Sequence, residues 1–211
     1  PTTDYPSLIK YMGSKTKIID YVIKGINDVY QGSSVVDLFA GSGTLSGALR
    51  GQVPIISNDI QSYSEILSGA YLSNISMSEK NLEDVLISVV KEAEEHSYYL
   101  KSLTVEYSVD FSTVEQLKDF KKFEELQRKL IDFDFPNETQ YYLFTKNYSG
   151  TYWSLEQCTL IDGYRKVAEK YKDSDLYFLI MASMMFAMSY NSQSTGHYAQ
   201  YRVAENEKSM K

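Results

Sequence analysis

The chain has 211 residues, 43% of them hydrophobic and 23% charged, with a net charge of -7 and one cysteine, Cys158. That length and mix suit a globular domain carrying an insertion, and they exclude a disulfide framework or a cysteine-rich metal site. The acidic balance argues against nucleic-acid binding by the whole surface but leaves room for a local basic groove.

A reducing cytoplasm is the expected compartment, since no N-terminal signal is visible. Leu176 to Met188 is the longest uncharged apolar run, and it is too short to span a bilayer. It predicts a buried helix.

In chain order, Ile18, Ile19, Val22, Ile23 and Ile26 recur at helical spacing, with Gly25 a mild cost among them. Gln31-Gly32-Ser33-Ser34 breaks the chain before a β-branched strand from Val35 to Phe39. Gly41-Ser42-Gly43 then turns into a short helix running to about Arg50, with Gly51 as its cap. A second strand is predicted over 53–57, with Pro54 at its start because proline cannot donate within a sheet. Ser62 to Leu72 reads as a helix packing through Ile66, Leu67 and Ala70.

Beyond residue 72 the pattern becomes almost wholly helical. Leu82, Val85, Leu86, Val89, Val90 and Ala93 mark one helix, and a second is predicted from about Thr113 to Leu130. Leu155 to Lys170 and Ser174 to Tyr190 make two more, the last so apolar that it should be central. Val105 to Val109 is the one later stretch suited to an edge strand. The division is therefore 1–72, a cofactor-binding part, and 73–211, a mostly helical region. Two early parallel strands leave most of a sheet unaccounted for.

A strand ending in Asp37, a glycine turn and a helix start form the layout that holds a nucleotide-like ligand. The pyrophosphate fingerprint needs a third glycine, and residues 41–46 read Gly-Ser-Gly-Thr-Leu-Ser. S-adenosylmethionine has no pyrophosphate and needs less room. Asp59, about 20 residues past the turn, is placed to take ribose hydroxyls. Its plainer role is to cap the helix that begins near Gln61. Asp37 either orients the loop or lies near the ligand's ammonium group.

Three ordered segments carry a resemblance: Lys10-Tyr11-Met12-Gly13-Ser14-Lys15, then Asp37 to Thr44, then Ser57-Asn58-Asp59-Ile60. Together they resemble the opening of the Dam-like (D12 class) DNA adenine-N6 methyltransferases. Tyr142 to Tyr152, with Ser194 to Gln200, is similar to the middle of some members. The resemblance implies an α/β fold, a partial Rossmann-like S-adenosylmethionine-dependent methyltransferase core with a large, mostly helical insertion. It implies that Tyr11 packs near the cofactor, Lys15 reaches its carboxylate, Gly41 and Gly43 shape the turn, and Asp59 binds ribose. Asp37, Phe39, Ala40, Ser42 and Ile60 complete the cofactor set.

The helical region lies where this class places target recognition. Lys146, Asn147, Tyr148, Tyr152, His197, Gln200 and Arg202 supply amides for base edges, cations for phosphate and rings for stacking, with double-stranded DNA the implied partner. No metal is implied, and no membrane.

Members of the class also carry an Asp/Asn-Pro-Pro-aromatic segment that grips the target amine. The four prolines here, Pro1, Pro6, Pro54 and Pro136, are nowhere adjacent. The expectation is an N-terminal part, inactive alone, that works with a complementary C-terminal fragment or subunit carrying that segment. The alternative is a non-catalytic cofactor-binding or interaction subunit of a split methyltransferase.

Overall fold

A computed structural model describes residues 7–10, 13–194, 198 and 200–206. The chain makes two compact units, the described residues of Pro1–Ser76 with Tyr171–Tyr190, and those of Met77–Lys170 with Asn191–Lys211.

In the first unit a 3-10 turn, Thr16–Ile18, leads into α1, Ile19–Val29. Ile19 is buried and Val22, Ile23 and Ile26 are half-buried, so the helical spacing of the apolar residues is realised as one packed face. β1, Val35–Asp37, pairs in parallel with β2, Ile55–Ser57, in the register Val35↔Ile55, Val36↔Ile56 and Asp37↔Ser57. Both strands are shorter than expected. β1 ends because the Phe39 N–H turns back to Asp37 Oδ1 at 3.2 Å. Pro54 stays outside β2, and its carbonyl accepts the Val35 N–H at 2.8 Å.

The sheet is covered unevenly. Val35, Asp37, Ile55 and Ser57 are half-buried, whereas Val36 and Ile56 on the other face are 53% and 57% exposed. Parallel sheets normally carry helices on both faces. Among the described residues, one face of this sheet has none.

α2, Thr44–Leu49, is almost entirely buried. α3, Ser62–Leu72, packs on α8, Asp175–Asn191, through Ile66, Leu67 and Ala182, with Tyr63, Phe178, Met181 and Met185 around them. Gly69 sets how closely they approach, because a Cβ there would lie 2.6 Å from the Phe178 ring. Truncating fully buried Leu67 to Ala would cost about 2–5 kcal/mol. The Asn74 N–H also donates to Asp175 Oδ2 at 2.8 Å. α8 is helical as expected but not wholly buried, with Phe186 and Tyr190 exposed.

The second unit is helical. α4, Glu79–Leu103, starts at Ser78, whose hydroxyl accepts the Asn81 N–H. α5 spans Leu117–Arg128, α6 Leu143–Tyr148 and α7 Leu155–Ala168, the last opened by a Ser154/Gln157 capping box. α4 and α7 pack so closely that a Cβ on Gly163 would lie 2.3 Å from the Ala93 carbonyl oxygen. Ser97 and Thr159 share a buried hydrogen bond of 2.8 Å in the same pair.

Two sequence expectations are corrected here. α5 starts at Leu117 rather than near Thr113, because Asp110 accepts from Ser112 and winds Phe111–Thr113 into a separate 3-10 turn. Val105–Tyr107 is a 3-10 turn, not an edge strand. Thr104 bonds back to Leu100 through both its N–H and its hydroxyl, so the chain keeps winding where β-branched residues alone predicted extension. The described residues are mostly helical, with one parallel sheet of two strands among them.

Candidate cofactor site

Asp37 ends β1 and Asp59 follows β2, so both carboxylates lie at the carboxyl ends of parallel strands, where such sheets bind ligands. Asn58 stitches the two following loops together. Its N–H donates to the Asp37 carbonyl at 2.8 Å, its carbonyl accepts the Ala40 N–H at 2.9 Å, and Nδ2 donates to the Leu38 carbonyl at 3.0 Å. The Gly41 N–H donates to Asp59 Oδ2 at 2.8 Å, and the Gln61 N–H to Oδ1 at 2.9 Å. Asp59 thus fixes the glycine loop through one oxygen and closes a turn onto Gln61 through the other, while α3 itself begins from Gln61 with no side-chain cap.

The turn needs its glycines. Gly41 and Gly43 have φ of 52° and 70°, the left-handed region that costs other residues about 1–2 kcal/mol. At Gly43 a Cβ would also lie 3.1 Å from the Ser68 backbone nitrogen and from the Tyr71 ring. Ala40, Ser42 and Gly43 are buried, and Ser42 and Thr44 share a hydroxyl hydrogen bond of 2.8 Å.

Electrostatics separates the two carboxylates. Hydrogen bonds from Gln61 and then Gly41 hold Asp59 below the ordinary carboxylate range, so it is ionised at neutral pH. Partial burial pushes Asp37 up, opposed by the Phe39 N–H and aided by the charge of Asp59. The site therefore offers one firmly ionised acceptor beside a more basic one.

Two apolar side chains flank these acids in the open: Phe39 is 87% and Ile60 96% exposed. Buried Ser64 and Ser68 on α3, the latter behind Gly43, have hydroxyls with no partner among the described residues. Lys15 Nζ donates to the Gly13 carbonyl at 3.2 Å, and neighbouring Ser14 lies 3.5 Å from the Thr44 hydroxyl, which brings the 13–15 turn to the start of α2. Tyr11 lies outside the described residues.

Asn58 as a stitch, and Ser68 and Tyr71 as the wall behind Gly43, had escaped the sequence reading. Asn58 stands in the quoted Asn-Asp pair and was findable. Nothing in helical spacing marks Ser68 or Tyr71 as neighbours of the turn.

The DNA-directed candidates lie in the second unit. Lys146 Nζ donates inward to the Phe133 carbonyl at 2.8 Å, and Asn147 Nδ2 returns to Leu143 in its own helix at 2.8 Å. Tyr148 and Tyr152 pack against Trp153, with ring centroids 6.3 and 5.6 Å away, and the Tyr152 hydroxyl donates to the Tyr198 carbonyl at 2.8 Å. Gln200 and Arg202 are exposed. His197 lies outside the described residues.

The sequence profile of the D12 class N6 adenine-specific DNA methyltransferases matches residues 11–209, and the chain belongs to that family. A stretch of 68 residues, 31% of the chain, is 34% identical to "Modification methylase LlaI" of Lactococcus lactis subsp. lactis, of which it spans 11%. No solved structure matches the chain significantly. Among the described residues no helix is long and apolar enough to cross a membrane.

Proposed function

We propose that the chain is the cofactor-binding and partial recognition portion of a DNA adenine-N6 methyltransferase, built on a partial Rossmann-like core. The observation that carries this reading is the joint at Asp59. One ionised carboxylate, fixed to a glycine turn of left-handed conformation, lies at the carboxyl ends of two parallel strands.

The residues present fit S-adenosylmethionine. Asp59 keeps lone pairs free for ribose hydroxyls, Phe39 and Ile60 offer exposed apolar surface to an adenine, and Asp37 suits an ammonium group. Gly41, Ser42, Gly43, Ala40, Lys15 and Tyr11 complete the proposed set. When bound, S-adenosylmethionine would supply an electrophilic methyl group for transfer to the adenine N6, leaving as S-adenosylhomocysteine. This chain's part is to hold and orient, a positioning role that lowers the barrier without a metal. Lys146, Asn147, Tyr148, Tyr152, His197, Gln200 and Arg202 are the proposed contacts to double-stranded DNA.

Adjacent prolines occur nowhere in the sequence, and under this reading a complementary fragment or subunit supplies the Asp/Asn-Pro-Pro-aromatic grip on the target amine. The open sheet face at Val36 and Ile56 supports this, because helices normally cover both faces of a parallel sheet. Mixing the chain with a candidate fragment and measuring methyl incorporation into DNA tests the reading. Activity that appears only in the mixture supports it. Cofactor binding without activity in any mixture would favour the second reading, a non-catalytic binding subunit, which the missing grip also supports.

A further inference from the structure

α4 is longer than the helix that packs on it. α7 runs antiparallel along its later part, where Lys101 meets Glu156, Ser97 meets Thr159, Ala93 meets Gly163 and Glu92 meets Lys170 just beyond the helix end. α7 stops at Ala168, so about three turns of α4, residues 79–88, run on past it.

An apolar face begins on that stretch. Leu86, Ile87 and Val90 are 39%, 59% and 41% exposed, and Leu82 is half-buried beside them. They lie on two adjoining rows of the helix, Leu82–Leu86–Val90 and Glu83–Ile87–Lys91, each with a residue every fourth position. Among the described residues, α4 alone lines the hollow between the rows. A groove between such rows takes the matching row of a second helix, crossing at about 50°. Anchors at this spacing are also how grooves read amphipathic helices. The geometry selects a helix.

Charge selects which kind. Glu79, Glu83 and Glu94 rim the hollow against one cation, Lys91, and all four are exposed. Among the described residues none of the three acids is in an ion pair. A second copy would set the same acidic excess against itself, and a nucleic-acid backbone would be repelled. Cationic side chains beside an apolar stripe complement both features. We propose that this face of α4 docks an amphipathic helix of another polypeptide, its apolar stripe flanked by Lys and Arg. Such docking is independent of cofactor binding and of methyl transfer.

The probe is a synthetic helical peptide of about 18 residues, or five turns, with a leucine stripe flanked by lysines. Its counterpart carries glutamates in place of the lysines. Both are labelled and titrated with the full chain, read by fluorescence anisotropy. Saturable one-to-one binding of the lysine peptide is expected, with the glutamate peptide weaker by about tenfold or more.

The whole chain carries a net charge of -7, so any cationic peptide is attracted to it in general. Leu86→Ser with Ile87→Ser keeps every charge and changes only exposed side chains. General attraction would survive that change, whereas docking should weaken by about tenfold or more. Glu79→Lys with Glu83→Lys, measured separately, should reverse the preference between the two peptides. No saturable binding of the lysine peptide overturns the proposal. So does equal affinity for the two peptides, an affinity unchanged in the serine variant, or a preference unchanged by the lysines. A native chain that sediments as a dimer by itself, and as a monomer with both serines, would assign the face to a second copy and overturn it too.

Discussion

The Gly41 N–H donates to Asp59 Oδ2 at 2.8 Å, across the two loops that leave the parallel strands. A turn that would otherwise be free to reshape is thereby fixed by the carboxylate proposed to meet the ribose. Losing that carboxylate removes a ligand contact and loosens the turn together. Asp59→Ala is therefore expected to weaken S-adenosylmethionine binding by more than an order of magnitude. Calorimetry on the folded variant checks this, and unchanged affinity would take Asp59 out of the site.

The glycines differ in what surrounds them, and this gives a paired test. Gly43 and Gly51 have nearly the same φ, 70° and 71°, but a Cβ meets Ser68 and Tyr71 at Gly43 and nothing within 4 Å at Gly51. Gly51→Ala should cost only the left-handed strain, about 1–2 kcal/mol. Gly43→Ala should cost about 1–3 kcal/mol more from overpacking, and cofactor affinity with it. Denaturant titrations of the two variants measure the difference, and equal losses would contradict the packing at Gly43.

Asp162 is almost fully buried and accepts from the Phe144 N–H, the Thr145 N–H and the Thr145 hydroxyl, fixing the start of α6. Burial outweighs those three bonds and raises its acid to about 6. The folded state then holds a proton that the unfolded state releases near 3.8, so Asp162 loses stability as pH rises from about 4 to about 6. The melting-temperature advantage of the native chain over Asp162→Asn should widen as pH falls through that window. Trp153 emission, which reports the second unit, is the measurement, and a constant gap would refute the assignment.

His96 has the opposite sign. Its Nε2 lies 3.0 Å from the Tyr141 carbonyl and its Nδ1 3.1 Å from Lys166 Nζ, an arrangement that fits the neutral ring with its proton on Nε2. Burial first, and the charge of Lys166 among the remaining causes, lower its pKa from the ordinary 6.5. Stability from this group is present above pH 6.5 and falls as acid protonates the unfolded chain. Replacing His96 with Gln should flatten the loss of stability just below pH 6.5, as read by the same emission melts. A slope identical to that of the native chain would argue against a neutral His96.

The open sheet face should be sticky. Val36 and Ile56 are more than half exposed, and Leu38 continues the apolar surface at 59%. The double change Val36→Ser, Ile56→Ser is expected to reduce binding of an apolar dye by the isolated chain, and to abolish any activity regained by mixing with a complementary fragment. Dye titration and the mixing assay read these separately. A variant that complements as well as the native chain would place the contact elsewhere.

The first unit was legible because local rules decide it. The helix over 62–72 lies where its spacing put it, and glycine turns with acids at strand ends leave short-range marks in sequence. Contacts made far along the chain leave none. Val105–Val109 has strand-like residues, yet a threonine bonding four residues back kept it wound. α6 went unpredicted because its start is fixed by Asp162, a residue 17 or 18 positions away and on another helix. Lys146 reads as a free cation until Phe133 is seen to hold it.

The bond between Asn74 and Asp175 spans 101 residues, and α3 shares its apolar face with a helix from that later region. During synthesis at about 5–20 residues per second, Ile66 and Leu67 emerge many seconds before Ala182 exists to cover them. A newborn chain must therefore keep a greasy stripe from misadventure until translation has passed α8. Stalling ribosomes between residues 76 and 175 should yield nascent chains that recruit holdase chaperones through that stripe.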